Sequence, residues 1–463
     1  NRRCVNTETE LCAPIVWPEG TDRDKAVIVA SIMPLSEQFE RLILPLQNAA
    51  QLAFLDFNAA TTLPGDRGVA WIACNSAGGS QAAVDAAEFL TDRIGVPAII
   101  GPIFSESVIE VAEKVTIDRG VFLISPTASS KELSSLSDKG LVWRTISSDI
   151  YQASALVERV AELDPPAEKL VYLAKEDTYG QGLLADMLEP LQDVTGDLLA
   201  TYSYENPAGK TTEELQVSYA TVIAQAYTSL KPDTVILAGT SEVRDLILLY
   251  LQAWGSDLEE DKPLTPPRFI VSHGAVPILE ETVRLLGETP TLQMAMYGLL
   301  EGTAPIIHDD ENFAAFNTRY RLTFADQDPI TSSSLSYDAA MATLLAMVAI
   351  PESEPITGAK LATTMTRLVD KDADEISFGD SVDLNFVTRA RDILASGGTV
   401  DLKGVSGDLD FETTTGEIRT NVIGWQLSPV DDDFGNPLLT MAREFVLEPD
   451  PGSTQGQWEP AGG

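Results

Sequence analysis

The sequence contains little of what most enzymes and metal sites require. It has two histidines and three cysteines in 463 residues, and neither type recurs at metal-ligand spacing. It also has no G-x-S-x-G nucleophile elbow, no G-x-x-x-x-G-K-[ST] phosphate loop and no G-x-G-x-x-G after a strand. We therefore predict that the protein is not an enzyme and that it holds no metal and no cofactor.

Two further shortages limit the partners. No apolar run is long enough to span a bilayer. Lysine and arginine number 31 against 70 aspartates and glutamates, so the net charge is −39. A phosphate backbone or an anionic membrane surface would be repelled by such a chain, which excludes nucleic acid as the expected partner. The acidity is typical of a heavily solvated surface rather than of an acidic active site.

The cysteines leave their pairing open. Cys4 and Cys12 lie in a polar leader, residues 1–25, where a local disulfide is expected if the compartment is oxidising. Cys74 would then be unpaired. Asn1 is not a natural start, so we expect a processed chain, and a lipid anchor upstream of residue 1 stays open.

Apolar strands alternate with amphipathic helices after the leader. The first series has strands at AVIVA, VAWIAC, PAIIG and GVFLIS, and the second at KLVYLA, LLATYSY, TVILA and RFIVS. Strands that are apolar throughout and separated by helices predict parallel sheets covered on both faces. The fold class is therefore α/β, with two Rossmann-like doubly wound lobes, which 463 residues are long enough to form.

Hydroxyl side chains follow the third strand, in the stretch GPIFSES. Ligands of open parallel sheets bind outside the carboxyl ends of the strands, and a helix that begins there offers unpaired N–H groups. Ser107 and Glu110 have capping-box spacing, so Ser107 is interpreted mainly as a helix cap. Ser105 would then lie outside the helix and be free to face a cleft and hold an anionic oxygen.

The next strand end, LISPTASSKEL, repeats this arrangement. Ser129 and Glu132 again match a capping box, with Thr127 and Ala128 in the turn before it. Capping alone explains either segment by itself. Two neighbouring strand ends with small hydroxyl residues predict a polar rim that suits one small ligand, such as a carboxylate.

The order of these segments resembles a known family. IIGPIFSES, VFLISPTASSKEL, VWRTISSD and KLVYLAKEDTYGQGL follow one another as they do in the periplasmic substrate-binding proteins for leucine, isoleucine and valine, of the type I group. The resemblance extends from about residue 26 to residue 428. It implies two lobes joined by a three-crossing hinge, with a ligand trapped between them as they close. It also implies a periplasmic or extracytoplasmic monomer that serves an ABC transporter permease.

The resemblance also nominates site residues. The ligand carboxylate would be held by Ser105 and Ser129 with the backbone at Thr127, and Tyr179 would face the cleft from the second lobe. Tyr179 packing only on its own lobe is the alternative. The full set of expected ligand-binding residues is Phe39, Phe104, Ser105, Thr127, Ala128, Ser129, Tyr179, Thr240 and His273.

Three departures from the family bear on the ligand. His273 stands where the family has the acidic residue that holds the ligand's ammonium group, and Thr240 stands nearest to a cleft tyrosine. Cys74 matches one half of a family disulfide, but Phe104 occupies the other half. A neutral imidazole could accept a hydrogen bond from an amine, whereas a charged one would favour an anion. His273 could also be an internally bonded residue at a strand end. An aliphatic amino acid leads, and aromatic carboxylates, short amides and peptides stay open.

The resemblance completes the division of the chain. Within residues 274–420 a surface insertion is predicted at about 370–400, and AMYGLL predicts a strand. The predicted segments are residues 1–25 (leader), 26–146 (lobe 1), 147–273 (lobe 2), 274–420 (lobe 1 continued), 421–446 (return to lobe 2) and 447–463 (loosely held tail).

A ligand-sensing module of the same fold without transport is the alternative function.

Overall fold

Two folding units share the chain, and each is built from separate segments. Unit 1 comprises residues 1–147 and 307–419, and unit 2 comprises residues 148–306 and 420–463. The computed structural model describes residues 9–36, 40–77, 79–196, 199–257, 265–286, 289–305, 311–325, 327–379, 384–431, 437–450 and 452–461.

Seventeen strands lie in the described ranges. They are β1 Val27–Met33, β2 Val69–Asn75, β3 Ala98–Ile100, β4 Phe122–Ser125, β5 Val142–Arg144, β6 Leu170–Lys175, β7 Leu199–Tyr204, β8 Thr234–Ala238, β9 Arg268–Val271, β10 Leu300–Pro305, β11 Glu375–Ser377, β12 Asp401–Lys403, β13 Phe411–Glu412, β14 Glu417–Ile418, β15 Val422–Asp431, β16 Pro437–Leu447 and β17 Gly456–Pro460.

Fourteen α-helices lie in the same ranges. They are α1 Glu40–Ala60, α2 Ser80–Phe89, α3 Ser105–Val111, α4 Ile117–Arg119, α5 Asp149–Ala161, α6 Thr178–Thr195, α7 Thr212–Leu230, α8 Val243–Gly255, α9 Leu279–Leu286, α10 Pro290–Ala295, α11 Glu311–Thr323, α12 Ser333–Val348, α13 Gly358–Met365 and α14 Asn385–Ala395. Wider π-helical turns extend α2 over Leu90–Ile94 and join α3 to α4 over Ala112–Thr116. Short 3₁₀ helices occupy Lys131–Ser135, His273–Ile278 and Thr366–Leu368. No helix in the described ranges is both long and apolar enough to cross a membrane.

Unit 1 contains a five-stranded parallel sheet in the order β2-β1-β3-β4-β5. All residues of β3, β4 and β5 are buried, as expected for a sheet covered on both faces. Every residue of α12 is buried, so this helix has no solvent-facing side and lies inside the unit, in contact with α1. The strand order reverses between β1 and β3, which places the ends of these strands at a topological switch point.

Unit 2 repeats the parallel arrangement and extends it. Its eight-stranded sheet has the order β17-β16-β15-β10-β9-β8-β6-β7. The strands β6 to β10 are parallel, and β15 to β17 add antiparallel pairs at the β10 edge. The order reverses between β6 and β8, so the α/β class with two doubly wound sheets is confirmed.

The boundary predicted at residue 274 differs from the structure. Residues 274–306 belong to unit 2, because β10 pairs with β9 on one side and with β15 on the other. The segment AMYGLL is not a strand over its length: α10 ends at Ala295, and β10 starts only at Leu300. The apolar pattern of the segment did not reveal the turn at Gly298, whose φ of +73° needs the conformational freedom of glycine.

Two segments predicted to be peripheral are built into their units. In the segment predicted as a surface insertion, β11 pairs with β12, and the side chains of Ile376, Phe378 and Phe386 are fully buried in the unit 1 core. In the predicted tail, β17 pairs with β16, and Trp458 packs on Phe445. In both segments polar residues are interspersed with apolar residues that face inward. The overall composition of a segment does not reveal these inward-facing positions.

The structure decides the cysteine pairing that the sequence left open. Cys12 is bonded to Cys74, so Cys74 is not the unpaired cysteine. The leader runs antiparallel beside the edge strand β2, where Val16 pairs with Trp71 and Cys12 pairs with Cys74. This added edge brings together two residues 62 positions apart. Cys4 lies outside the described residues.

Candidate functional site

The first candidate cluster lies at the carboxyl ends of β3 and β4 in unit 1. Ser105 begins α3, and Phe104 is the residue before the helix. Helix α3 therefore starts three residues earlier than the capping-box prediction, with Phe104 rather than Ser107 at the N-cap position, and Ser107 lies within its first turn. The Ser107 hydroxyl is 3.0 Å from that of Ser80, and Glu110 pairs with Lys114 instead of closing a box.

Three hydrogen bonds tie the β3 turn to the β4 turn. The hydroxyl of Ser125 donates to the carbonyl of Pro102 at 2.6 Å, and that of Thr127 donates to the carbonyl of Ile103 at 2.9 Å. The backbone N–H of Ser130 donates to the hydroxyl oxygen of Ser105 at 3.2 Å. The two turns are thus held in one rigid arrangement, which brings together Phe104, Ser105, Thr127, Ala128 and Ser129.

The cap of the following 3₁₀ helix is Ser130, not Ser129. The Ser130 hydroxyl accepts the N–H of Glu132 and donates to its carboxylate. Ser129 is released from capping, and its hydroxyl makes no hydrogen bond to any described residue. The hydroxyl oxygen of Ser129 is in contact with solvent, although the residue as a whole is only 2% exposed.

Ser105 and Ser129 each keep a hydroxyl proton that they can donate. The Ser105 oxygen already accepts the Ser130 N–H, and among the described residues no acceptor takes its own proton. Two serine hydroxyls with free protons on adjacent turns suit an acceptor group with two oxygens, such as a carboxylate.

A buried arginine supports these turns. The Arg144 guanidinium donates to the carbonyls of Ala128 and Ser130, and it pairs with the Glu417 carboxylate. Arg144 is 2% exposed, so its charge is compensated inside the unit. Its role is to hold the β4 turn, and neither Arg144 nor Glu417 was nominated from the sequence.

The second cluster lies in unit 2, at the carboxyl ends of β6, β8 and β9. Tyr179, Thr240 and His273 follow these three strands in turn, and the structure brings them together around Gly274. A Cβ on Gly274 would lie 2.6 Å from the Gly239 carbonyl oxygen and 3.3 Å from the Tyr179 ring. Only glycine therefore fits at this junction.

Gln152 of α5 connects His273 to Thr303 of β10 and to Asp149 of its own helix. Its side-chain oxygen accepts the N–H of His273 at 2.7 Å and the hydroxyl of Thr303 at 3.0 Å. Its side-chain nitrogen donates to Nδ1 of His273 at 2.9 Å and to the Asp149 carboxylate at 3.1 Å. Gln152 and Asp149 were missed from the sequence, because nothing local marks a glutamine that meets a residue 121 positions away.

The ring of Tyr179 packs edge-on against that of His273. The Tyr179 hydroxyl accepts the N–H of Gly274 at 3.3 Å and lies 3.2 Å from Nδ1 of His273. Burial raises the pKa of the Tyr179 phenol above its usual range. The tyrosine therefore stays protonated and acts as a donor inside unit 2.

His273 is neutral at physiological pH. Burial disfavours the charged imidazolium and lowers the pKa of His273 to about 4, although the Asp149 carboxylate lies 3.8 Å from Nδ1. The side chain keeps 14% of its surface exposed. The imidazole is therefore an uncharged group with one nitrogen engaged inside the unit.

Thr240 is hydrogen-bonded to two buried charged side chains, those of Lys175 and Glu242. Its hydroxyl donates to Glu242 at 2.6 Å and accepts from the Lys175 ammonium at 3.2 Å. Burial alone would raise the pKa of Glu242, but Lys175 and the hydrogen bonds from Thr240 outweigh it, and the net pKa is lowered. The Thr240 hydroxyl is thus occupied on both its donor and its acceptor side.

Two predicted aromatic contacts complete the account. Phe104 is partly buried and packs against the unit 1 core, while Phe39 lies outside the described residues. In the part of the chain that the structure describes, no group of three or more histidine, cysteine, aspartate or glutamate side chains could hold a metal ion.

Comparison with known proteins supplies a family. A family model described as periplasmic binding protein matches residues 26–267, which is more than half of the chain. No curated protein matches the sequence.

Solved structures show the same fold. A leucine-binding protein of Thermotoga maritima superposes with a TM-score of 0.64 at 18% identity, covering 90% of this chain and 98% of that one. The branched-chain amino acid transporter substrate-binding protein LivJ of Streptococcus pneumoniae, in complex with isoleucine, gives 0.62 at 15% identity and covers 90% and 100%. An ABC transporter solute-binding protein of Rhodopseudomonas palustris, in complex with 3,4-dihydroxybenzoic acid, gives 0.66 at 14% identity and covers 92% and 99%.

Proposed function

Because this chain belongs to the periplasmic binding protein family, we propose that it is an extracytoplasmic solute-binding protein that captures a small carboxylate-bearing ligand for an ABC importer. The single observation that carries the proposal is the pair of hydroxyls at the ends of β3 and β4. Ser105 and Ser129 each retain a proton to donate, on turns that three hydrogen bonds hold together.

The ligands of structural neighbours agree with this chemistry. The LivJ structure holds isoleucine, and a Rhodopseudomonas palustris structure holds 3,4-dihydroxybenzoic acid. These molecules share a carboxylate and differ in almost everything else. A carboxylate held by serine hydroxyls in unit 1 is therefore the part of the family's chemistry that we assign to this chain.

Catalysis is not part of the proposal. The Ser105 oxygen accepts a backbone N–H, and no histidine or carboxylate contacts it within the described residues, so nothing there would activate it as a nucleophile. Binding with closure of two lobes, as the family resemblance implies, remains the expected mechanism.

Native mass spectrometry of the purified protein, followed by denaturing extraction, tests the proposal. We expect a co-purifying small molecule with a carboxylate, or, from an empty protein, saturable binding of one carboxylate in a thermal-shift panel. Ligands without a carboxylate, or no binding across amino acids and aromatic acids, would refute it.

Transport is tested separately from binding. The liganded protein should stimulate ATP hydrolysis by its importer in proteoliposomes, and the ligand-free protein should do so less. Binding without any permease response, together with ligand-dependent association with a kinase or regulator, would favour the sensing module instead.

A further inference from the structure

The orientation of the Gln152 amide is determined by its neighbours. Its oxygen lies 2.7 Å from the backbone nitrogen of His273 and 3.0 Å from the Thr303 hydroxyl. Turning the amide over would place its NH₂ group against the His273 N–H, so that two donors would face each other. The nitrogen of the Gln152 side chain therefore points at Nδ1 of His273, 2.9 Å away.

This orientation fixes the tautomer of His273. An amide nitrogen can only donate, so Nδ1 must accept, and the proton of the neutral imidazole lies on Nε2. The Tyr179 hydroxyl, 3.2 Å from Nδ1, can donate to the same lone pair because its oxygen already accepts the Gly274 N–H. A proton on Nδ1 would oppose the Gln152 donor.

The opposite nitrogen is left for a ligand. Nε2 makes no hydrogen bond to a described residue, and it is in contact with solvent. Asp149 is the only carboxylate within 4.0 Å of the imidazole among the described residues, and it lies on the Nδ1 side. Nothing in that part of unit 2 places a carboxylate beside Nε2 to receive an ammonium group.

We propose that His273 presents Nε2–H as a hydrogen-bond donor, and that the ligand group bound by unit 2 is an acceptor oxygen rather than an α-ammonium group. This inference rests on the proposed function. It selects, among carboxylates, hydroxy acids and hydroxy-aromatic acids over amino acids. An ammonium group facing Nε2–H would bring two donors together and lose its counter-ion.

The tautomer is tested without any ligand. Nitrogen-15 labelled histidine gives only two imidazole spin systems, since the sequence has two histidines, and His308→Gln assigns the remaining one to His273. We expect a protonated Nε2 and an unprotonated Nδ1 at pH 7. A protonated Nδ1, or a fully charged ring, would overturn the proposal whatever the protein binds.

The ligand class is tested with compounds that differ in one group. L-leucine, 2-hydroxy-4-methylpentanoate and 4-methylpentanoate share a carbon skeleton, and 4-hydroxybenzoate and 4-aminomethylbenzoate form a second comparison. Calorimetry should show the hydroxy compound binding at least about tenfold more tightly than its amine partner in whichever series binds. An amine that binds as tightly as its hydroxy analogue, or more tightly, would overturn the proposal.

The His273→Glu substitution tests the role of His273 separately from the proposed carboxylate site at Ser105. His273→Glu supplies the missing carboxylate, so the preference should shift by at least about tenfold towards the amine in the same series, while Ser105→Ala should weaken both analogues equally. If His273→Glu fails to fold, the wild-type tautomer and ligand ratio decide alone. Absence of binding in both series would count against the proposed function, and the tautomer result would still decide the role of His273.

Discussion

The hydroxyl oxygen of Ser105 accepts the backbone N–H of Ser130 at 3.2 Å, so a side chain that begins α3 holds the turn after the neighbouring strand. The same hydroxyl keeps its proton for a ligand. Removing this hydroxyl should therefore lower both the affinity for the ligand and the free energy of unfolding, by different amounts.

Ser105→Ala should weaken binding of the recovered carboxylate by about tenfold or more, which is the loss expected for a hydrogen bond to a charged group. Because the Ser130 N–H loses its acceptor, the free energy of unfolding should fall by about 1 kcal/mol as well. Calorimetry and urea unfolding measure the two effects. Ser107→Ala is the matched control, since it removes a buried hydroxyl of the same helix whose one hydrogen-bond partner among the described residues is Ser80. An equal loss of affinity in both variants would contradict the role of Ser105.

Breaking the Cys12–Cys74 disulfide should lower the free energy of unfolding by up to about 4 kcal/mol, because it releases a loop of 62 residues in the unfolded chain. Urea unfolding of the Cys12→Ser, Cys74→Ser double variant measures the loss. Cys4→Ser retains the bond and serves as the control. If Cys4→Ser alone destabilised the protein as much as the double variant, the pairing would be wrong.

Gly274→Ala should destabilise unit 2 by about 1–3 kcal/mol. The added Cβ would lie 2.6 Å from the Gly239 carbonyl oxygen, and neither the backbone nor the Tyr179 ring beside it can yield without breaking contacts. Gly255→Ala is the control, because a Cβ there meets no described atom within 4 Å and glycine loses more freedom on folding than alanine. We expect Gly255→Ala to be neutral or slightly stabilising, and equal losses in thermal unfolding would refute the steric account.

The stability of the protein should fall as the pH drops from about 6.5 to about 4, in part through His273. Above this range the imidazole is neutral in the folded and unfolded chains. Within it the unfolded chain takes up a proton, while the folded protein, whose His273 pKa is about 4, does not. The contribution is on the order of 2 kcal/mol between pH 7 and pH 4.5.

Urea unfolding at these two pH values isolates this term as the difference between wild type and His273→Gln. The variant should lose less stability on acidification, because glutamine does not titrate. His308→Gln should keep the full wild-type loss. Identical pH profiles for wild type and His273→Gln would show that His273 is not held neutral by burial.

Much of the fold was predictable from local patterns. The apolar strands and amphipathic helices of both sheets lie where periodicity places them, because the pattern of a strand or helix reflects its own burial. The strand-end serines were also predictable as a group, since the carboxyl ends of adjacent parallel strands lie side by side. Their roles were not: Ser130 rather than Ser129 caps, and Ser105 lies inside the helix.

By itself, the sequence determined the α/β class, the two doubly wound sheets and the strand ends that carry hydroxyl groups, because each of these depends on contacts between near neighbours. Only the tertiary structure decided that Cys12 meets Cys74 and that Gln152 meets His273. Such pairs depend on which distant segments the sheet brings side by side. The second of them decides whether His273 donates or accepts, and so which ligands we expect the protein to select.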